Sequence, residues 1–178
     1  MIYFLHCTAK MSVCHSYIAA AVAASLQTGL HRSLSGGLDP IERETRKRVF
    51  WTVRNMETYV CAILGLPMTI NEEEIDQEMP QEVDDACITQ NGISSQPGDQ
   101  LSANVAMNAY TRLIRIFSKI LRYVYPVRNM KHTLGNRPGS YRVSYARVCE
   151  IEQELAPWLA NLPWKLSTTN DLPPGPLR

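Results

Sequence analysis

The sequence predicts an all-α protein, an irregular multi-helix bundle with one long acidic loop. Apolar residues recur at three- and four-residue spacing in several segments, as they do on one face of a helix. No segment shows the alternation that marks a half-buried strand. With 45% hydrophobic and 20% charged residues, the 178-residue chain has enough apolar surface for one core. We therefore expect one domain over residues 3–165, followed by a mobile, proline-rich tail over 166–178.

The first predicted helical region covers residues 3–30, with a break near Ser12 that would divide it into two helices. Its alanine-rich stretch over 19–24 has very high helix propensity. Gly29 stands where this region should end, because glycine readily adopts the left-handed conformation of a helix C-terminus. The apolar run over 17–26 is too short for a bilayer, which requires about 20 residues, so we expect no membrane contact.

The second helix, over 40–64, has the clearest start signal in the chain. Asp39 can serve as its N-cap, Pro40 as its first residue and Glu42 as the partner in a capping box. Gly65 should end it. Its predicted buried stripe is Val49, Phe50, Val53, Met56, Val60, Ile63 and Leu64.

The remaining segments alternate between loops and helices. Residues 66–99 read as a long acidic loop with a short helix at 72–77, and 127–140 as a polar loop. Helices are predicted over 101–125 and 141–160. The apolar stripe of the first of these is Leu113, Ile114, Phe117, Ile120, Leu121 and Val124.

Three motifs follow one another between the first predicted helix and the acidic loop. The first is Gly29-Leu30-His31-Arg32, and the second runs from Glu44 to Trp51 with the pattern Glu-x-Arg-x-Arg-x-Phe-Trp. The third starts with Gly65-Leu66-Pro67 and continues through Asp76 and Met79-Pro80. In this order and spacing the chain resembles the fungal-specific transcription factor domain, the middle homology region of zinc-cluster regulators of the xylanolytic-activator type. The signature residues are Gly29, Leu30, His31, Arg32, Glu44, Arg46, Arg48, Phe50, Trp51, Gly65, Pro67, Asp76 and Pro80.

The signature admits two interpretations. Its basic residues could form a patch for nuclear import or DNA contact. Alternatively, and in our preferred interpretation, it is structural: the aromatic rings are buried at a helix junction, and the arginines join helix ends to loop carboxylates. The chain departs from the family pattern at Thr28, at Glu57-Thr58 and at Leu66, which weakens the transfer of partner or inducer preferences.

The resemblance also implies a module that the sequence does not contain. The family's DNA-binding module has six cysteines and begins with two separated by two residues, whereas this chain has five cysteines and no Cys-x-x-Cys. We therefore expect an incomplete regulatory region without a cofactor of its own, and zinc only in an N-terminal DNA-binding module absent here. The pairs His6-Cys7 and Cys14-His15 suit a shared metal ion poorly, because adjacent helical side chains point about 100° apart.

By resemblance, the expected function is regulation of transcription in the nucleus, through contacts with other domains of the parent factor or with a homodimer partner. DNA would be bound only indirectly. No arrangement of nucleophile, base and orienting acid indicates an enzyme. The alternative is a helical sensor that binds a small inducer independently of DNA, in a cavity lined by residues such as Met56 and Phe117.

Charge is segregated along the second half of the chain. Nine acids and no Lys or Arg lie between 71 and 99, whereas nine bases and no acid lie between 100 and 149. The basic residues of the helix over 101–125 could touch nucleic acid, could be offset by the acidic loop, or could simply be solvated. This candidate basic contact face consists of Arg112, Arg115, Lys119 and Arg122.

Overall fold

The computed structural model describes residues 10–33, 36–97, 101–124, 144–163 and 166. Its helices are α1 (Met11–Gln27), α2 (Pro40–Leu64), α3 (Ala103–Val124) and α4 (Tyr145–Ala160). Between α2 and α3 lie two 3-10 turns, Glu72–Glu74 and Asp85–Cys87, and a hairpin of β1 (Ile88–Thr89) and β2 (Gly92–Ile93). The strands are antiparallel, with Ile88 opposite Ile93.

The mostly α-helical fold class is confirmed, and the short hairpin is an addition that the sequence did not indicate. The helix predicted before residue 10, the polar loop over 127–140 and the tail beyond 166 lie outside the described residues. The chain divides between Ile114 and Arg115 into two compact units. The single domain over 3–165 stays a prediction. Among the described residues, none of the helices combines the length and apolar character needed to cross a membrane.

Helix α1 ends as the sequence predicts, at Gly29. This residue has a φ of 67°, and the backbone N–H of Leu30 donates to the carbonyl of Ser25 at 2.9 Å. These features form a Schellman motif, which satisfies carbonyls that the end of the helix leaves free. The chain thereby turns sharply toward α2.

Both ends of α2 also follow their sequence signals. The Asp39 carboxylate accepts the backbone N–H of Glu42 at 2.7 Å, and Pro40 is the first helical residue. At the other end Gly65 is left-handed, with a φ of 67°, and the N–H of Leu66 donates to the Cys61 carbonyl at 2.9 Å. The result is an uninterrupted helix of 25 residues, long enough to contact several elements in turn.

The apolar core of the first unit forms where α1 crosses α2. Residues spaced four apart on α1 are fully buried against the two aromatic rings of α2, whose centroids lie 5.2 Å apart in an edge-on arrangement. Burial of such side chains contributes roughly 1.5–3 kcal/mol each. The buried cluster is Cys14, Ile18, Val22, Phe50, Trp51, Val60 and Ile70.

The predicted stripe on α2 is wrong at two positions. Val49 and Ile63 are 45% and 51% exposed. In their place, Lys47, Arg54 and Glu57 are buried. The reason is that the chain after Gly65 folds back over a polar side of α2, so the apolar periodicity alone does not define the buried face.

The second unit pairs the last part of α3 with α4. Lys119 forms an ion pair with Glu154, and the Tyr123 hydroxyl donates to the Glu150 carboxylate at 3.1 Å. The guanidinium of Arg147 lies 4.9 Å from the centre of the Tyr123 ring, within cation–π range. These contacts join the two helices along their polar edges.

Replacing Trp51 by alanine should lower the free energy of unfolding by about 3–5 kcal/mol, because the indole is 3% exposed and a large cavity would remain. Chemical denaturation followed by circular dichroism measures this loss. Val49→Ala is the matched control on the exposed side of the same helix, with an expected change within about 0.5 kcal/mol. Equal losses in the two variants would contradict the core assignment.

Candidate functional site: a polar seam on α2

One side of α2 carries a row of buried or half-buried polar groups, which we term the polar seam. A charge removed from water is costly unless it is paired and hydrogen-bonded. Here the partners come mainly from residues 66–97, which we term the acidic segment. The polar seam consists of Glu44, Lys47, Arg48, Trp51, Arg54, Asn55, Glu57 and Thr58.

The first half of the seam holds the middle of the acidic segment. The Lys47 ammonium lies 2.8 Å from the Glu78 carboxylate and 3.9 Å from that of Glu44. The Glu44 carboxylate in turn accepts the backbone N–H of Gln81, and the Trp51 indole N–H donates to the Glu78 carbonyl at 2.9 Å. Backbone and side-chain contacts together fix residues 78–81 against α2.

Next to Lys47 in sequence, Arg48 binds the acidic segment where it turns toward the hairpin. Its guanidinium pairs with Asp85 and donates to the Val83 carbonyl at 3.2 Å. The neighbouring Asp84 is clamped by Gln96, which accepts the Asp84 backbone N–H at 2.8 Å and donates to its carboxylate at 2.7 Å. The hydrogen bond from Gln96 is the main reason that the pKa of Asp84 lies below its usual value.

The second half of the seam holds the beginning of the acidic segment. The Glu57 carboxylate accepts the backbone N–H of Thr69 at 2.6 Å and lies 3.5 Å from Arg54. Arg54 also donates to the Thr58 hydroxyl and lies 3.9 Å from Glu72. Of the two residues that depart from the family pattern, Glu57 therefore anchors the chain after Gly65, and Thr58 bonds to Arg54.

The Gly29–Arg32 motif forms a second anchor for the acidic segment. The His31 carbonyl accepts the backbone N–H groups of Asp76 and Gln77, at 3.2 and 3.1 Å. The Gln77 side-chain amide donates to the carbonyls of Leu30 and Arg32, at 2.8 and 3.0 Å. The backbone around His31 thus meets residues 76–77 at close range, and sequence reasoning missed Gln77.

Arg32 and Arg46 add charged contacts on either side of this anchor. The Arg32 guanidinium lies 3.6 Å from the Asp76 carboxylate, and Asp76 also accepts the backbone N–H of Ser33 at 2.9 Å. Arg46 donates to the carbonyls of Thr28 and Gly29, at 3.0 and 3.2 Å. A cation at these carbonyls also complements the negative end of the α1 dipole.

Buried asparagines connect the first part of α3 to the same framework. The Asn55 amide on α2 donates to the Thr111 hydroxyl at 2.8 Å. The Asn108 amide donates to the Pro80 carbonyl at 2.8 Å and to Glu82 at 3.1 Å. Sequence reasoning also missed these residues, because an isolated polar residue in a helix carries no signal that it faces inward.

The acidic residues pair with different partners from those suggested by the charge segregation. Within the described residues, Glu72, Glu78 and Asp85 pair with α2, and Asp76 pairs with Arg32. Two members of the candidate basic contact face pair with acids, Arg112 with Glu82 at 3.5 Å and Lys119 with Glu154. Arg115 and Arg122 are exposed on α3. Several carboxylates of the acidic segment therefore pair with α2 rather than with this face.

Two buried thiols of the first unit, Cys14 and Cys61, are poor nucleophiles. Burial raises the pKa of the Cys14 thiol, and burial together with the nearby Glu57 carboxylate raises that of Cys61, so both thiols stay protonated and weakly nucleophilic. In the described part of the chain no cluster of three His, Cys, Asp or Glu residues is arranged for a metal ion. Cys7 lies outside that part.

Known proteins resemble this chain over nearly its whole length. The family described as the fungal specific transcription factor domain matches residues 1–172. The chain therefore belongs to the fungal specific transcription factor domain family, and its relatives are fungal transcriptional regulators. No solved structure matches it.

Two relatives show how much of a whole factor this chain represents. It is 40% identical over 192 residues to "Activator of stress genes protein 1" of Candida albicans, covering 97% of this chain and 19% of that protein. It is 34% identical over 171 residues to "Activator of stress genes 1" of Saccharomyces cerevisiae, covering 93% and 17%. The chain thus spans less than a fifth of these relatives.

A third relative extends the comparison to a filamentous fungus. The chain is 34% identical over 161 residues to "Transcriptional activator protein acu-15" of Neurospora crassa, covering 88% of this chain and 16% of that protein. As with the first two relatives, the match is to a small part of a longer transcriptional regulator.

Replacing Glu78 by glutamine should weaken stability in a pH-dependent way. The hydrogen bond and charge of Lys47 hold the pKa of Glu78 below its ordinary 4.5, so the pair stabilises the fold above that pH. Because the Glu78 side chain is 65% exposed and Glu44 remains beside the buried Lys47, this contribution is up to about 1 kcal/mol. It is lost as the pH falls through the lowered pKa. Urea unfolding of the variant and of the unsubstituted chain at about pH 7 and about pH 3 measures this. The difference between their free energies of unfolding should be smaller at about pH 3.

The exposed Glu73, in the same segment, supplies the matched variant Glu73→Gln. Its free energy of unfolding should equal that of the unsubstituted chain at both pH values. A Glu78→Gln deficit that stays constant with pH would show that the ion pair is not its cause.

Proposed function

We propose that this chain is a regulatory and interaction region of a fungal zinc-cluster transcription factor, acting in the nucleus through protein contacts rather than catalysis. In this proposal its partners are other domains of the parent factor or a second copy, and DNA and zinc are bound by another module of the factor. The family membership and the relatives named as transcriptional activators support the regulatory role. The signature residues serve as structural ties within it.

The observation that carries the proposal is the exposed apolar surface on both helices of the core. Helix α1 has no Asp, Glu, Lys or Arg, yet only one of its sides is buried, and Val13 and Tyr17 are 46% and 44% exposed. A helix that is apolar all round is normally covered on all sides. On α2, the exposed Ile41, Val49 and Ile63 fall within an arc of roughly 80° at 100° per residue. These positions are 8 and 14 residues apart, so they form a stripe along one side of α2, and an exposed apolar stripe of this kind suits a protein contact.

The inducer-sensor alternative predicted an internal cavity lined by Met56 and Phe117. Met56 packs against the apolar cluster of the first unit, and Phe117 belongs to the second unit. A different feature, a cationic cleft near the start of α2, keeps ligand binding among the candidate functions.

Fusing the chain to an unrelated DNA-binding domain should change the output of a reporter gene relative to that domain alone. Ile63→Lys should reduce this effect by at least about fivefold, since one desolvated ammonium disrupts an apolar contact. The variant should unfold within about 0.5 kcal/mol of the original, because Ile63 is exposed. The exposed Gln153 on α4 offers a control with the same new side chain, Gln153→Lys. Equal output from the two variants would contradict the proposed contact surface.

The isolated chain should not bind duplex DNA directly. Its net charge is +1, and two members of the candidate basic contact face, Arg112 and Lys119, already pair with carboxylates. Fluorescence anisotropy with labelled duplex at low salt should show no saturable binding up to roughly 100 μM protein. Salt-dependent binding that disappears in the double variant Arg115→Gln, Arg122→Gln would instead establish the face as a nucleic-acid site.

A further inference from the structure

A small cleft opens beside the first turns of α2, between that helix and the residue 76–78 part of the acidic segment. It is open to solvent, and its enclosed part has room for about one or two water molecules. Three of its lining side chains are cationic and one is anionic, an excess of two positive charges. The lining residues are Ser33, Leu38, Arg43, Arg46, Lys47, Gln77 and Glu78.

The two arginines of the cleft bind carbonyl oxygens rather than carboxylates. Arg43 donates to the Leu38 carbonyl at 3.2 Å, and Arg46 donates to the Thr28 and Gly29 carbonyls. Arg43 also acts on Glu78, since its charge is one of those that lower the pKa of that carboxyl. A neutral carbonyl does not cancel the charge of a guanidinium, so the cleft attracts anions.

The Glu78 carboxylate occupies this cleft as an anion supplied by the protein itself. Its side chain is 65% exposed, whereas the Lys47 side chain that it meets at 2.8 Å is 5% exposed. A solvated carboxylate therefore reaches one buried ammonium from the open side. The Glu78 backbone is held separately by Trp51, so its side chain can leave Lys47 without releasing the segment.

We propose that this cleft is a binding site for a small oxyanion, a phosphate group, which takes the place of the Glu78 carboxylate on Lys47 and is also bound by Arg43. Guanidinium and ammonium groups are the usual protein donors to phosphate oxygens. The space that the Glu78 carboxylate leaves on Lys47, together with the opening to solvent, gives a phosphate group access. The Glu78 carboxylate then competes with the ligand, so occupancy alters one of the ties between α2 and the acidic segment.

The test is calorimetric titration of the 178-residue chain with inorganic phosphate and, separately, with glycerol phosphate, at constant ionic strength. Both should bind saturably. Glu78→Gln removes the competing carboxylate and should tighten binding about tenfold. Arg43→Gln removes a ligand-binding cation and should abolish saturable binding. Arg46 is left intact because it holds the end of α1. Tighter binding of glycerol phosphate would indicate a phosphorylated metabolite, and tighter binding of phosphate the free ion.

Arg112→Gln is the matched control, since it removes the same charge from an exposed arginine outside the cleft. It should leave the affinity within about twofold of the original. Circular dichroism of all variants checks that they fold. No binding by either the original chain or Glu78→Gln would overturn the proposal, as would equal weakening by Arg43→Gln and Arg112→Gln. This result is independent of the proposed transcriptional role, which the reporter assay tests.

Discussion

The structure of the first unit depends on the burial of charged side chains along α2. Lys47, Arg54 and Glu57 are each less than 5% exposed, and an unpaired charge at such depth would be strongly destabilising. The acidic segment supplies carboxylates and backbone N–H groups that compensate them. Its path is therefore imposed by the need to pair these charges, and it stays irregular because it follows side chains rather than a repeating backbone ladder.

This requirement explains why the signature motif of α2 mixes acidic, basic and aromatic residues so densely. Successive helical side chains point about 100° apart, so near neighbours reach different elements. Arg46 contacts the end of α1, whereas Lys47 and Arg48 contact two places in the acidic segment. Phe50 enters the apolar core. A single short stretch of sequence thus joins most elements of the unit, and its residue types are set by their separate contacts.

The division between polar and apolar surfaces bears on the proposed role. Polar contacts tie the acidic segment inward, while an uncharged side of α1 and exposed apolar residues of α2 face outward. Contacts with another protein surface would bury these outer residues without disturbing the ion pairs. The cationic cleft lies beside Lys47, among the ion pairs of the polar seam. A ligand in the cleft and a protein partner would therefore act on different surfaces of α2.

The sequence by itself determined the helices and their ends, because these depend on local chemistry. Asp39, Gly29 and Gly65 act through their own backbone conformation or a neighbouring N–H group, and the family motifs could be recognised in the same way. Only the tertiary structure decided which side of α2 is buried and which partners its charges take. The side chains of Glu78 and Gln77 contact residues more than 30 positions away in sequence. Such pairing depends on how the loop after Gly65 folds back, and no local pattern encodes that path.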